Sequence, residues 1–205
     1  MNKYNWENFY KATPLKKIFW QETQADYLRE LLNAGKVKPG KALDLGCGTG
    51  IKSIYLAQNG FNVIGIDISK TAIGYAKENA KKANAKIEFI IADAIDLDFL
   101  GDKKFDLILD WANLHGLPED KVRQYIKGIA DHLKVGGKLI LRCFGRKDGE
   151  AKFVERPDFT IILYTAKEIE ELYNNDFKII EKNISNPENN NAPGKFFHEY
   201  LMERI

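Results

Sequence analysis

Cysteine, histidine and long apolar runs are all scarce in this chain, which has 2 cysteines and 3 histidines among 205 residues. Two cysteines, Cys47 and Cys143, supply neither a disulfide framework nor a metal site. Both lie in apolar segments, where a free thiol behaves as a small buried hydrophobe. A reducing, cytoplasmic setting and no metal are therefore expected. No apolar stretch approaches the ~18 residues of a membrane helix. The opening "MNKYNWENFYKATPLKK" lacks the uninterrupted apolar core of a signal peptide. An excess of charge of either sign is missing too: 31 basic residues stand against 29 acidic ones, for a formal net charge of +2. The two signs are interspersed, unlike the concentrated basic footprint of a dedicated nucleic-acid binder. Internal repeats and interdomain linkers are also absent.

What is present suits one globular domain with a continuous core: 44% hydrophobic and 29% charged residues. From residue 41 onward, short apolar runs alternate with stretches of helical period. Strands are expected at 41–46, 61–68, 86–93, 104–112 and 138–144. Helices are expected at 50–60 (closed by Gly60), at 69–84 with Ser69 as N-cap, and at 117–137 with the Gly136–Gly137 pair as its stop. "YTAKEIEELY" (164–173) opens with Thr165 and, three residues on, Glu168, the signature of a capping box. The runs 177–184 and 195–205 read as two more strands, joined by only about ten turn-rich residues. They should pair as an antiparallel hairpin. Residues 3–11 and 21–34 read as additional helices. Strands separated by helices call for crossovers onto a parallel sheet covered on both faces. The expected fold is a three-layer α/β/α Rossmann-like seven-stranded sheet, mostly parallel with the last strand antiparallel. It forms a single domain over 1–205, with 1–40 as a helical cap and 41–205 as the core.

The segment "KALDLGCGTG" ends a strand in three alternating glycines, Gly46, Gly48 and Gly50. Glycine there permits positive φ and lets a ligand approach the backbone. A tight turn without a ligand remains the plain alternative. A dinucleotide site wants G-x-G-x-x-G, but the position that pattern needs is Ile51. An acidic residue followed by G-x-G-x-G, as in "LDLGCGTG", resembles motif I of the class I S-adenosylmethionine-dependent methyltransferases. The resemblance runs over about residues 40–144, in order and in spacing. It implies S-adenosylmethionine as cofactor, with Asp44 orienting its methionine end and Gly46, Cys47, Gly48 and Gly50 around it. Asp67, in "GIDIS", would take the two ribose hydroxyls, with Ile68 as the apolar lid on adenine. An acid there also suits NAD. Asp93 and Ala94 would hold the adenine ring by side chain and by backbone N–H.

The acceptor leaves weaker marks. The Asp/Asn-Pro-Pro-Tyr/Phe motif of enzymes that methylate exocyclic amines of nucleic acids is missing, and neither cysteine follows a proline. "LDWANLHGLP" resembles a small-molecule branch of the family, with tellurite-resistance and thiopurine-type enzymes, in which Asp-x-x-x-x-His follows strand four. Asp110 and His115 match those positions as candidate catalytic residues, Asp110 also being near the cofactor. Ala112 fits the pattern, whereas Asn113 stands where that branch commonly has cysteine. His115 titrates near neutrality in water and could accept a proton or orient the acceptor; a structural hydrogen bond in a loop is the alternative. The aromatic-rich N-terminus resembles that branch's lid, and Trp20 carries over as a pocket residue. The resemblance implies a methyltransferase acting on a small thiol, metalloid or other soft nucleophile. Alternatives are a methyltransferase acting on RNA or protein, an NAD-dependent oxidoreductase and a non-catalytic cofactor-binding subunit. The oligomeric state is left open.

Overall fold

In the computed structural model, residues 5–18, 26–156, 159–186 and 196–205 are described. A seven-stranded sheet carries the chain. In sequence order its strands are β1 (Lys41–Leu45), β2 (Asn62–Asp67), β3 (Glu88–Ile91), β4 (Phe105–Trp111), β5 (Leu133–Gly145), β8 (Phe177–Ser185) and β9 (Phe196–Arg204). Their spatial order is β3-β2-β1-β4-β5-β9-β8. β1 to β5 pair in parallel, and β9 runs antiparallel to both of its neighbours. The expected sheet is therefore observed, including the hairpin of the last two strands. The chain starts in the middle of the sheet at β1, moves out to β3 and returns to β4. The β1/β4 boundary is thus the topological switch point, outside whose carboxyl ends ligands bind in such folds.

Two faces are covered. On one, α2 (Asp26–Asn33) and α3 (Ile51–Gln58) bury Tyr27, Leu28, Leu31 and Leu56 against Ala42, Leu107, Leu109 and Ile140. On the other, α5 (Val122–His132) and α6 (Ala166–Tyr173) bury Tyr125, Ile126, Ile129 and Ile169 against Leu43, Ile108, Leu139 and Leu141. Odd and even positions of β4 and β5 feed opposite cores, as the period-2 pleat requires. α4 (Lys70–Lys82) starts where Ser69 Oγ accepts from the Ala72 N–H. α6 starts at the complete capping box of Thr165 and Glu168. The short α1 (Trp6–Ala12) packs Tyr10 against Ala72 of α4, with Trp6 and Phe9 beside them.

Two expectations need correcting. The helix expected over 117–137 is α-helical only at Val122–His132, after a 3₁₀ turn at Glu119–Lys121. Leu133 already pairs with Phe105, and the register then jumps to Leu107 opposite Lys138. Gly136, at φ +77, lies in the outward bulge between those pairs, with Val135 exposed beside it. The glycines therefore turn a strand and do not end the helix. The stretch between β5 and α6, where no strand was expected, holds a two-stranded ribbon, β6 (Phe153–Arg156) against β7 (Phe159–Ile162). Ile161 and Leu163 lie on Phe144 and Phe197 at the sheet's carboxyl end.

Candidate functional site

The three glycines make the turn between β1 and α3. Gly46, Gly48 and Gly50 all have positive φ, at +63, +55 and +79. The turn closes through Cys47 N–H to Ile66 O at 2.8 Å and Gly50 N–H to Cys47 O at 2.9 Å. Space as well as torsion forbids side chains here. A Cβ at Gly50 would stand 2.9 Å from the Phe89 ring, and one at Gly46 only 2.5 Å from Asn113 Oδ1. Half-buried Cys47 is the loop's one thiol, and burial pushes it well above its ordinary range.

Beside the loop, Asp67 ends β2. Its Oδ2 accepts from Gly48 N–H at 2.9 Å and its Oδ1 from Ser69 N–H at 2.8 Å. Each oxygen keeps a free lone pair, because an ionised carboxylate accepts about four hydrogen bonds. Burial raises its pKa to about 6, against the pull of those two amides. Two apolar side chains stand exposed beside it: its neighbour Ile68 at 43% and its partner on β3, Ile91, at 52%. Ile91 escaped the sequence reading, although an exposed apolar residue at a strand end beside a carboxylate suits one wall of an apolar slot. Asp93 accepts from Ile95 N–H at 3.0 Å, and Ala94 beside it is buried.

Glu7 was also missed. From α1 it accepts from Ser69 Oγ at 2.7 Å, Thr71 N–H at 3.0 Å and Thr71 Oγ1 at 2.9 Å. These bonds, the Thr71 amide foremost, hold its pKa down to about 2. A carboxylate at the N-terminus of α4 also complements the helix dipole. The Trp6 ring reaches toward the turn after β4, 3.8 Å from where a Gly116 Cβ would stand.

Beneath the loop, Asp44 is 2% exposed and accepts from Ser53 Oγ at 2.5 Å. Desolvation raises its pKa to about 7, with nearby Lys52 opposing. Asp110 is sealed entirely. Its Oδ1 accepts from Asn113 N–H at 2.8 Å and Leu114 N–H at 3.2 Å, and its Oδ2 from Tyr125 Oη–H at 2.8 Å. It thus holds the turn after β4, where Ala112 adopts φ +74. The expectation that His115 titrates near neutrality is corrected. His115 is buried, its Nδ1 accepts from Phe144 N–H at 3.3 Å, and desolvation lowers its pKa to about 3. The neutral ring carries its proton on Nε2. His132 and His198 are both buried, and His132 Nδ1 bonds to Gly128 O at 2.9 Å. Trp20 lies outside the described residues.

On the side of Trp111, a buried ion pair spans β5 and β9. Arg142 Nε donates to Glu199 Oε1 at 3.0 Å, with side chains 7% and 3% exposed. The guanidinium lies over Phe197 at 3.6 Å and Trp111 at 4.9 Å. Among the described residues no cluster of His, Cys, Asp and Glu could hold a metal ion.

Residues 42–137 match the family model described as "Methyltransferase domain". A cypemycin N-terminal methyltransferase of Streptomyces sp. is 34% identical over 122 residues, covering 56% of this chain and 48% of its own. The probable S-adenosyl-L-methionine-dependent methyltransferase TehB of Haemophilus influenzae is 28% identical over 156 residues, covering 75% of this chain and 52% of its own. The chain thus spans about half the length of these curated relatives. Among solved structures, the Burkholderia thailandensis 1,6-didemethyltoxoflavin-N1-methyltransferase superposes with a TM-score of 0.79 at 20% identity. That match covers 97% of this chain and 86% of the other and extends the likeness of fold to both ends of the sheet.

Proposed function

We propose that this chain, whose residues 42–137 match a methyltransferase-domain model, transfers the methyl group of S-adenosylmethionine to a small-molecule acceptor. The observation that carries the reading is Asp67. It is clamped to the Gly48 amide, keeps one lone pair on each oxygen and is flanked by exposed Ile68 and Ile91. That donor set fits a nucleoside: two hydroxyls on one carboxylate, and a flat ring against apolar side chains. Asp93 and Ala94 would face the ring edge, Gly46, Cys47, Gly48 and Gly50 the amino-acid tail, and Asp44 would brace their loop from below.

When bound, the cofactor would supply an electrophilic methyl on a sulfonium, whose S–C bond would break as the acceptor–C bond forms, with sulfur keeping the electron pair. The protein's share is then positioning and exclusion of water. α1, latched by Glu7, would close one side, and the β6–β7 ribbon another. Of residues 1–40, α1 serves as the cap in this reading, whereas α2 belongs to the sheet's covering layer. Asp110 acts through the turn it holds. His115 serves as a neutral Nε2–H donor that orients the acceptor, not as a base. A soft nucleophile such as a thiol ionises in water before it attacks, so it requires no base. This favours the thiol and metalloid acceptors over amines protonated at neutral pH.

Titration calorimetry with S-adenosylhomocysteine, and with NAD as control, tests the reading. Saturable micromolar binding of the former alone is expected. Binding of NAD alone, or of neither, would refute it. Methyl transfer from labelled cofactor to a panel of small thiols and metalloid oxyanions, at the same protein concentration, then tests the acceptor class.

A further inference from the structure

Asn113 stands at the floor of the site with an orientation fixed by its neighbours. We propose that Asn113 is a cofactor-contacting residue whose side-chain carbonyl oxygen faces the sulfonium-bearing centre, and that Tyr125 and Asp110 are the positioning residues that hold it there. The proposal rests on the cofactor reading above and assigns a role that the sequence did not suggest.

The geometry is a relay of three side chains. Asp110, when ionised, can only accept, so Tyr125 must donate its phenolic hydrogen to Oδ2, at 2.8 Å. The Tyr125 oxygen is then left as an acceptor, and Asn113 Nδ2 donates to it at 3.2 Å. With its NH₂ committed to Tyr125, the Asn113 amide has one orientation, and Oδ1 points the opposite way. That oxygen lies against Gly46, 2.5 Å from where a Cβ would stand. Asp110 and Tyr125 are both 0% exposed, so the relay is shielded from competing water. Asn113 and Gly46 are only partly buried, which leaves this end of the relay in reach of the cleft.

Strand order supplies the rest. β1 lies between β2 and β4, ~4.8 Å from each. A nucleoside whose ribose is held by Asp67 on β2, with its tail running toward β4, would cross Gly46 near its sulfur. A carbonyl dipole aimed at that point favours a cation there and does little for a neutral thioether. Water-exclusion around the relay strengthens such a charge–dipole contact.

The test compares two non-reacting ligands at pH 8 by titration calorimetry. Sinefungin carries a protonated amine where the methyl sulfonium stands, and S-adenosylhomocysteine carries a neutral sulfur. Asn113→Leu removes the carbonyl, and Tyr125→Phe releases the amide while keeping the volume of the ring. Each variant should bind sinefungin about five- to tenfold more weakly and S-adenosylhomocysteine within about twofold of the unaltered protein. Equal losses for both ligands would mark a merely structural role, and an unchanged pair of affinities would mark no role; either overturns the proposal. Should Asn113→Leu not fold, Tyr125→Phe alone decides between these outcomes. Failure of the unaltered protein to bind either ligand would overturn the cofactor reading itself.

Discussion

Glu199→Ala should destabilise this protein far more than a typical substitution, and removing Arg142 as well should restore much of the loss. Glu199 is 2% exposed and accepts from Arg142 Nε at 3.0 Å, Asn183 Nδ2 at 2.9 Å and Ser185 Oγ at 2.8 Å. Truncation takes its buried carboxylate from the Arg142 guanidinium, itself 5% exposed. Breaking a buried pair from one side costs ~3–5 kcal/mol, because an uncompensated charge stays inside. Stacking on Phe197 at 3.6 Å and Trp111 at 4.9 Å is present with or without Glu199 and so offsets none of that. At roughly 2–4 °C per kcal/mol for a domain of this size, the thermal midpoint should fall by about 6–20 °C. The double variant Arg142→Met/Glu199→Leu replaces both charges by apolar groups of similar volume and should lie within ~2 kcal/mol of the parent. Urea unfolding followed by circular dichroism measures all three proteins. A single variant within 1 kcal/mol of the parent, or a double variant worse than the single, would refute the claim that desolvated charge dominates here.

Other expectations concern the site. Asp67→Ala should weaken S-adenosylhomocysteine binding by about a hundredfold, the order lost with two hydrogen bonds to a charged acceptor; calorimetry showing an unchanged affinity would remove Asp67 from the cofactor site. Stability should fall as pH rises from 6.5 to 8. Asp44, raised from 3.8 to about 7 by burial, holds a proton in the folded protein below that value and in the unfolded chain only below about 4. Asp44→Asn should flatten that dependence, read from urea midpoints at the two pH values. Below pH 6.5 the buried neutral His115, lowered to about 3, opposes the trend because only the unfolded chain takes up its proton there. Ala112, at φ +74, should accept glycine with no loss of stability, whereas Ala112→Val should cost ~2 kcal/mol in the same unfolding assay, a β-branched residue being forced into the left-handed region.

Much of the fold was legible because its signals are local. Apolar period distinguished β1, β2 and β4 from α3 and α4, and Ser69, Thr165 and Glu168 announced two helix starts that the structure contains. The β6–β7 ribbon was not legible, because its strands are four residues each and are interrupted by the turn signals around Pro157. The end of α5 was misread for a related reason. Gly136–Gly137 resembles a helix stop, but Leu133 finds a better partner in Phe105 across the sheet than in another helical turn.

The candidate site divides along the same line. Three alternating glycines after a strand, and an acid at the end of the next, determine by themselves a backbone bare of side chains beside a carboxylate: torsion and chain order require nothing distant. Charge state and partnership belong to the tertiary structure alone. His115 is neutral, Asp110 is sealed beneath a turn, Glu7 bridges 62 residues to Ser69, and Arg142 finds Glu199 across β5 and β9. Burial and long-range contact set these properties, and both arise only when segments far apart in the chain exclude water together.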